Sequence, residues 1–131
     1  MQMNQKKTFG LAGIALAALL ATASAAAEPS GEWRLKFDGA SRSDGVITVR
    51  ITPVGGTPIL AEIRVVDEMS ENGVAEYVRR EIGKALPKDR YEVERDDGEE
   101  VVIKKIGDVS DFEVEILSNT VEHVEIELDS K

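Results

Sequence analysis

The stretch ILAEIRVVDEMSENGVAEYVRREIGKALP, residues 59–87, contains the change of period on which the fold turns. Up to Val65 the apolar residues Ile59, Ala61, Ile63 and Val65 alternate with Leu60, Glu62 and Arg64, the period-two pattern of a half-buried strand. From Ser70 the spacing becomes three and four. Val74, Val78, Ile82, Ala85 and Leu86 fall on one stripe, and Glu76, Arg79, Arg80, Glu81 and Lys84 fall opposite. The spacing predicts an amphipathic helix, with Ser70 as N-cap, Glu71 in the positively polarised first turn and Pro87 ending it. Asn72-Gly73 has the composition of a hairpin turn, but no alternation follows it. Gly83 inside the helix costs about 1 kcal/mol relative to Ala, which predicts a close approach to the sheet there.

Outward from this stretch the pattern on both sides is that of strands. On the N-terminal side Trp33, Leu35 and Phe37 share one face, the polar segment 38–45 follows, and Ile47, Val49 and Ile51 share the next face. Pro53 and Gly55-Gly56-Thr57-Pro58 separate this strand from the one at Ile59. Three strands in succession predict a meander. On the C-terminal side two hairpins are expected. If Asp96-Asp97-Gly98 is a three-residue loop, Tyr91 lies opposite Ile103 and Val93 opposite Val101. If Ser118-Asn119-Thr120 closes the second, Phe112 lies opposite Ile126 and Val114 opposite Val124. The expected fold is α+β: a mainly antiparallel sheet of about seven short strands with one amphipathic helix packed on it. A β-sandwich with an inserted helix is the alternative.

The segment from Ser70 to Leu128, a helix followed by Tyr91-x-Val93, Gly98, Val101-x-Ile103 and Asp111-Phe112-x-Val114, resembles helix-plus-hairpins modules that recur in phage-tail and bacterial surface proteins. The resemblance covers under half of the chain. It implies the same helix-plus-hairpins fold.

The N-terminal residues have a separate logic. Lys6 and Lys7 precede an apolar run from Phe9 to Leu20 and then Ala21-Thr22-Ala23-Ser24-Ala25-Ala26-Ala27, with no acid before Glu28. This order reads as a cleavable signal peptide over residues 1–27, cut after Ala25 or Ala27. The apolar run is shorter than the roughly 20 residues needed to span a bilayer, so no stable membrane insertion is expected after cleavage. The expected location is the periplasm or the outside of a bacterial cell. Residues 28–131 are then a single domain, and losing two lysines takes the formal charge from −9 to −11 over the remaining 104 residues. Nucleic acid and anionic lipid are poor partners for such a chain. With no cysteine there is no disulfide, and stability must come from packing or from a bound ion or partner.

Enzymatic chemistry is not expected. The single histidine, His123, is placed by the second hairpin register on the outer face opposite Glu115, as an exposed ion pair. No G-x-S-x-G elbow, cysteine nucleophile or H-E-x-x-H helix accompanies it. Aromatic residues make up 5% of the sequence, too few for a sugar cleft lined by acid pairs. No cofactor is called for. Calcium is the one ion the acidic turns could take, through Asp96, Asp97, Glu99 and Glu100 or through Asp108 with Asp111, although neither follows the full calcium-loop pattern.

The outer faces carry the more informative pattern. The second hairpin register sets Glu113 opposite Glu125 and Asp111 opposite Glu127, like charges that repel, whereas the N-terminal strands point Arg34, Lys36, Arg50 and Arg64 outward. Either these strands are sheet neighbours that neutralise one another, or complementary faces join different molecules. The expected function is a non-enzymatic exported binding or structural module acting through protein contacts, with a protein partner or by self-association. Arg34, Lys36, Arg50, Glu113, Glu125 and Glu127 are its candidate binding residues. A small calcium- or ligand-binding periplasmic protein is the alternative.

Overall fold

A computed structural model describes residues 28–131; the signal peptide expected over residues 1–27 lies outside them. The described chain folds as seven strands and one helix: β1 (Glu32–Asp38), β2 (Gly45–Pro53), β3 (Ile59–Val65), α1 (Glu71–Ala85), β4 (Tyr91–Asp96), β5 (Glu100–Lys105), β6 (Phe112–Asn119) and β7 (Glu125–Ser130). All strand pairs are antiparallel. The fold is α+β, and the strands divide between a four-stranded sheet, in the order β4-β5-β1-β7, and a three-stranded sheet, β3-β2-β6.

Inward-facing residues of both sheets make one core. Leu35 and Phe37 of β1, Val101 and Ile103 of β5, Ile47, Val49 and Ile51 of β2, Ile63 of β3, and Phe112 and Val114 of β6 are buried together with Val74, Val78 and Ile82 of the helix. Each such side chain contributes about 1.5–3 kcal/mol by leaving water. The helix packs against β3 of the small sheet and β4, β1 and β5 of the large one, so its apolar stripe serves both sheets. Ser70 caps it as expected, its side chain accepting the Gly73 N–H at 3.0 Å. Leu86 is already extended (φ −96°, ψ 145°), the conformation imposed on a residue before proline. Two contacts tie the sheets at one end: Trp33 Nε1–H donates to the Phe112 carbonyl at 2.8 Å, and the Tyr91 and Phe112 rings meet edge-on at 5.2 Å.

Four local expectations are corrected. The first three strands do not form a meander, because β1 lies in the large sheet and β2 in the small one; only β2 and β3 pair. The β4–β5 hairpin exists, but Val93 lies opposite Ile103 and Tyr91 opposite Lys105. Asp97 and Gly98 both take left-handed φ (48° and 78°), which puts the bend one residue later. The shift of two preserves parity, so Tyr91, Val93, Val101 and Ile103 still share a face.

The β6–β7 hairpin does not form at all. β6 pairs with β2 and β7 with β1, so Phe112 is not opposite Ile126, nor Val114 opposite Val124. Consequently Glu113 does not oppose Glu125, nor Asp111 Glu127. His123 leaves the strand and sits in the connecting turn at φ 75°, away from any pairing with Glu115. Gly83, finally, has open space where a Cβ would project, so no close approach to the sheet explains it.

The connection between β6 and β7 is a packed corner. Val121 and Val124 are each 4% exposed, the Asn119 side chain bonds Val124 O and Val121 N–H, and the 38–45 loop folds against it. Gly39 (φ 98°) lies so close that a Cβ would sit 2.1 Å from His123 O, and at Gly45 one would meet Thr120 and Val121 backbone at 2.8 Å. Ser41, fully buried, joins this loop to the β3–α1 connection. Its N–H donates to Met69 O and its O accepts from Glu68 N–H. Its hydroxyl donates to Val66 O at 2.7 Å and accepts from Met69 N–H at 2.8 Å.

Candidate functional site

In the ladders of the large sheet, even-numbered residues of β1, β4 and β5 and odd-numbered residues of β7 face away from the core. The registers arrange them in rows: Glu92–Lys104–Glu32, then Glu94–Val102–Arg34–Asp129, then Asp96–Glu100–Lys36–Glu127, with Asp38–Glu125 at the end. Lys131 reaches Glu32 at 3.9 Å. Nine carboxylates thus share this face with four cations, an excess of five negative side chains. The antiparallel registers produce the grouping, since each acid is brought beside its neighbours by pairing across three different strand boundaries.

Arg34 lies near the centre. One Nη reaches Glu100 at 2.8 Å and Asp96 at 3.2 Å, while its Nε lies 3.5 Å from Glu32 without hydrogen-bond geometry. The bond to Asp96 is the largest of the effects that hold the guanidinium charged more firmly than usual, against a partial loss of solvation. Beside it Val102 is 2% exposed although it faces outward, so neighbouring side-chain stems cover it. A shallow open depression of about 270 Å³ lies at one corner of the face, lined by Lys36, Asp38, Glu125, Ile126 and Glu127.

The structure therefore brings Arg34, Lys36, Glu125 and Glu127 onto one surface and places Arg50 and Glu113 on the outer face of the other sheet. Arg50 lies across from Glu115 in the ladder and binds it through Nε (2.9 Å) and Nη2 (2.5 Å); Glu113 lies across from Thr52. Of the acidic turn, Asp96, Asp97 and Glu100 offer oxygens within 4.8 Å of one another, and Glu99 is not part of this group. The Arg34 guanidinium already binds two of the three, so a cation there competes with a tethered positive charge. Asp111 is held by Lys105 at 2.8 Å, and neither it nor Asp108 belongs to a group of three such ligands among the described residues.

Glu32, Glu94 and Asp129 belong to the acidic face and were not singled out by the sequence. Their alternation with inward residues is visible in it, but their proximity follows from the order β4-β5-β1-β7, which no local pattern encodes. No protein-family model and no curated protein matches the chain. No helix among the described residues is long and apolar enough to cross a membrane.

Proposed function

We propose that the protein is an exported, non-enzymatic binding or structural module that acts through protein contacts, with the outer face of the four-stranded sheet as its working surface. The observation that carries this reading is the excess of five carboxylates on a broad sheet face, held in place by strand pairing. A surface of this kind suits a partner presenting lysines and arginines, whose approach it steers and whose register it sets. A photo-crosslinking side chain at Glu127, in cells expressing the protein, tests it: a defined adduct is expected from this position and not from Val54, exposed in the connection that follows β2. Absence of any adduct from the acidic face removes the reading.

The clustering of Asp96, Asp97 and Glu100 favours a second reading, a small calcium-binding protein. It requires a rise in melting temperature at millimolar calcium, and no shift removes it.

A further inference from the structure

The helix presents a surface of opposite sign on the other side of the same sheet. Its apolar stripe is buried against β3 of the small sheet and β1, β4 and β5 of the large one, so its solvent ridge looks away from the core. From Glu76 through the connection to Arg90, together with Arg95, the chain carries Arg79, Arg80, Lys84, Lys88, Arg90 and Arg95 against Glu76, Glu81 and Asp89; Glu71, in the first turn of the helix, accepts from Gly39 N–H. Glu76 holds both Arg79 (2.7 Å) and Arg95 (3.1 Å), and Glu81 holds Lys84. Arg80 lies over the Tyr77 ring at 5.4 Å, and Lys88 Nζ donates to Gly83 O at the helix end. Neither Arg80 nor Lys88 forms an ion pair among the described residues. In a chain whose described residues carry −11, this region carries an excess of three positive charges.

We infer that the basic ridge of α1 in one molecule docks on the acidic outer face of the four-stranded sheet in a second copy, giving head-to-tail association. The inference rests on the reading that this face makes protein contacts and names the partner as another copy of the chain. Within one molecule the two surfaces cannot meet, because the sheet lies between them. Their dimensions match: 15 helical residues span roughly 22 Å, and seven-residue β1 spans roughly 23 Å across four strands about 4.8 Å apart. Such a footprint falls below the roughly 800 Å² per partner of a standard stable interface, so the association is weak and reversible. Because the two surfaces differ, the contact is heterologous and propagates into rings or short filaments rather than closing as a two-fold dimer.

The salt dependence has a particular shape. Two copies repel through their net charge at low ionic strength, while at about 0.15 M the screening length of about 8 Å removes that repulsion and leaves charges in contact effective. Light scattering on the purified protein over a concentration series should show association strongest at intermediate salt, lost at both extremes. The pair Arg80→Glu and Lys84→Glu should weaken it about tenfold or more, as should Glu94→Lys with Glu125→Lys. All four sites are on the surface, and melting curves establish that each variant is folded. An equimolar mixture of the two variants should recover pairwise association, since the unaltered helix of the sheet variant then meets the unaltered sheet of the helix variant.

A protein monomeric at every salt concentration, or association unchanged in both folded variants, overturns the inference. If the protein is monomeric and the Glu127 crosslink nonetheless captures a different protein, self-association fails and the protein-contact reading stands. If that crosslink is also absent, both fail.

Discussion

The connections at 96–100 and 118–124 resemble each other as sequence, each a short polar turn between alternating strands, yet they do opposite things. The first joins neighbours in one sheet. The second carries the chain from the small sheet to the large one. Turn chemistry decides where a chain bends; what decides where it goes next is whether the bend itself is packed. The Asp97-Gly98 tip has Asp97 exposed and Gly98 half-exposed beside Asn72, and it is tethered by charges, Arg34 to Asp96 and Arg95 to Glu76. The corner buries Val121 and Val124 and is held by neutral hydrogen bonds from the 38–45 loop, Arg42 N–H to Glu122 O and Glu122 N–H to Ser43 Oγ.

Two glycines with similar φ test the contrast most severely. At Gly39 an alanine would have to adopt φ near 98° and would drive its Cβ into His123 O, backbone that the corner holds on both sides. We expect Gly39→Ala to cost on the order of 3 kcal/mol or more. At Gly98 (φ 78°) the added Cβ meets only the Asn72 side-chain amide, which can rotate away, so Gly98→Ala should cost about 1 kcal/mol. Urea unfolding of both variants measures the difference, and equal losses would mean that the corner is no more rigid than the tip.

Ser41 is the next largest effect. Ser41→Ala leaves the Val66 carbonyl and the Met69 N–H without their hydroxyl partner in a site closed to water, a loss of about 1–3 kcal/mol. Ser110, whose exposed hydroxyl bonds Val54 O at 3.2 Å, is the control, with a change within about 0.5 kcal/mol on substitution by Ala. Comparable losses at the two serines would break the distinction between a buried hub and a surface contact.

What could be read from the sequence follows the same division. The seven strands, the helix and its Ser70 cap were all legible, because each is written in residues close together along the chain. So was the inward set Tyr91, Val93, Val101 and Ile103, since a shift of two leaves side chains on the same face. The corner was not, because Gly39, Arg42 and Ser43 reach it from another part of the chain. One local sign was available: Val121 and Val124 are apolar where an exposed hairpin tip would be polar. The candidate site divides likewise. Arg34, Lys36 and Glu127 read as outward charges from alternation alone, whereas their grouping needed the strand order. Arg50 shows how the same information misleads, for its partner Glu115 was assigned to His123.

A third glycine sharpens the comparison from the other direction. Gly83 is helical, has no positive φ, and offers open space to a Cβ; nothing in the structure requires glycine there. Gly83→Ala is therefore expected to stabilise the protein by roughly 1 kcal/mol, read as a higher urea midpoint with unchanged slope. A loss instead would reveal a contact at the helix's exposed side that the isolated chain does not make.

The smallest effect separates the charged tether from the neutral one by pH. Hydrogen bonds from Arg79, aided by the charges of Arg79 and Arg95, hold the Glu76 carboxyl below its usual range despite partial desolvation. A carboxylate with a lowered folded-state pKa contributes stability above its unfolded pKa, and that contribution is lost as pH falls through the lowered value. Because the group is about a third exposed, the contribution is no more than about 0.5 kcal/mol. Acidification should therefore loosen the attachment of Arg95, and with it the β4–β5 tip, while the Ser41 bonds carry no titrating group. Amide exchange followed downward from neutral pH, corrected for intrinsic rates, should show protection at Arg95 and Glu100 falling before protection at Met69 and Val121. Glu76→Gln should reduce the pH dependence at the tip, where Asp96 and Glu100 still bind Arg34, and leave the corner unchanged; simultaneous loss at both places would show that the tip and the corner open as one unit.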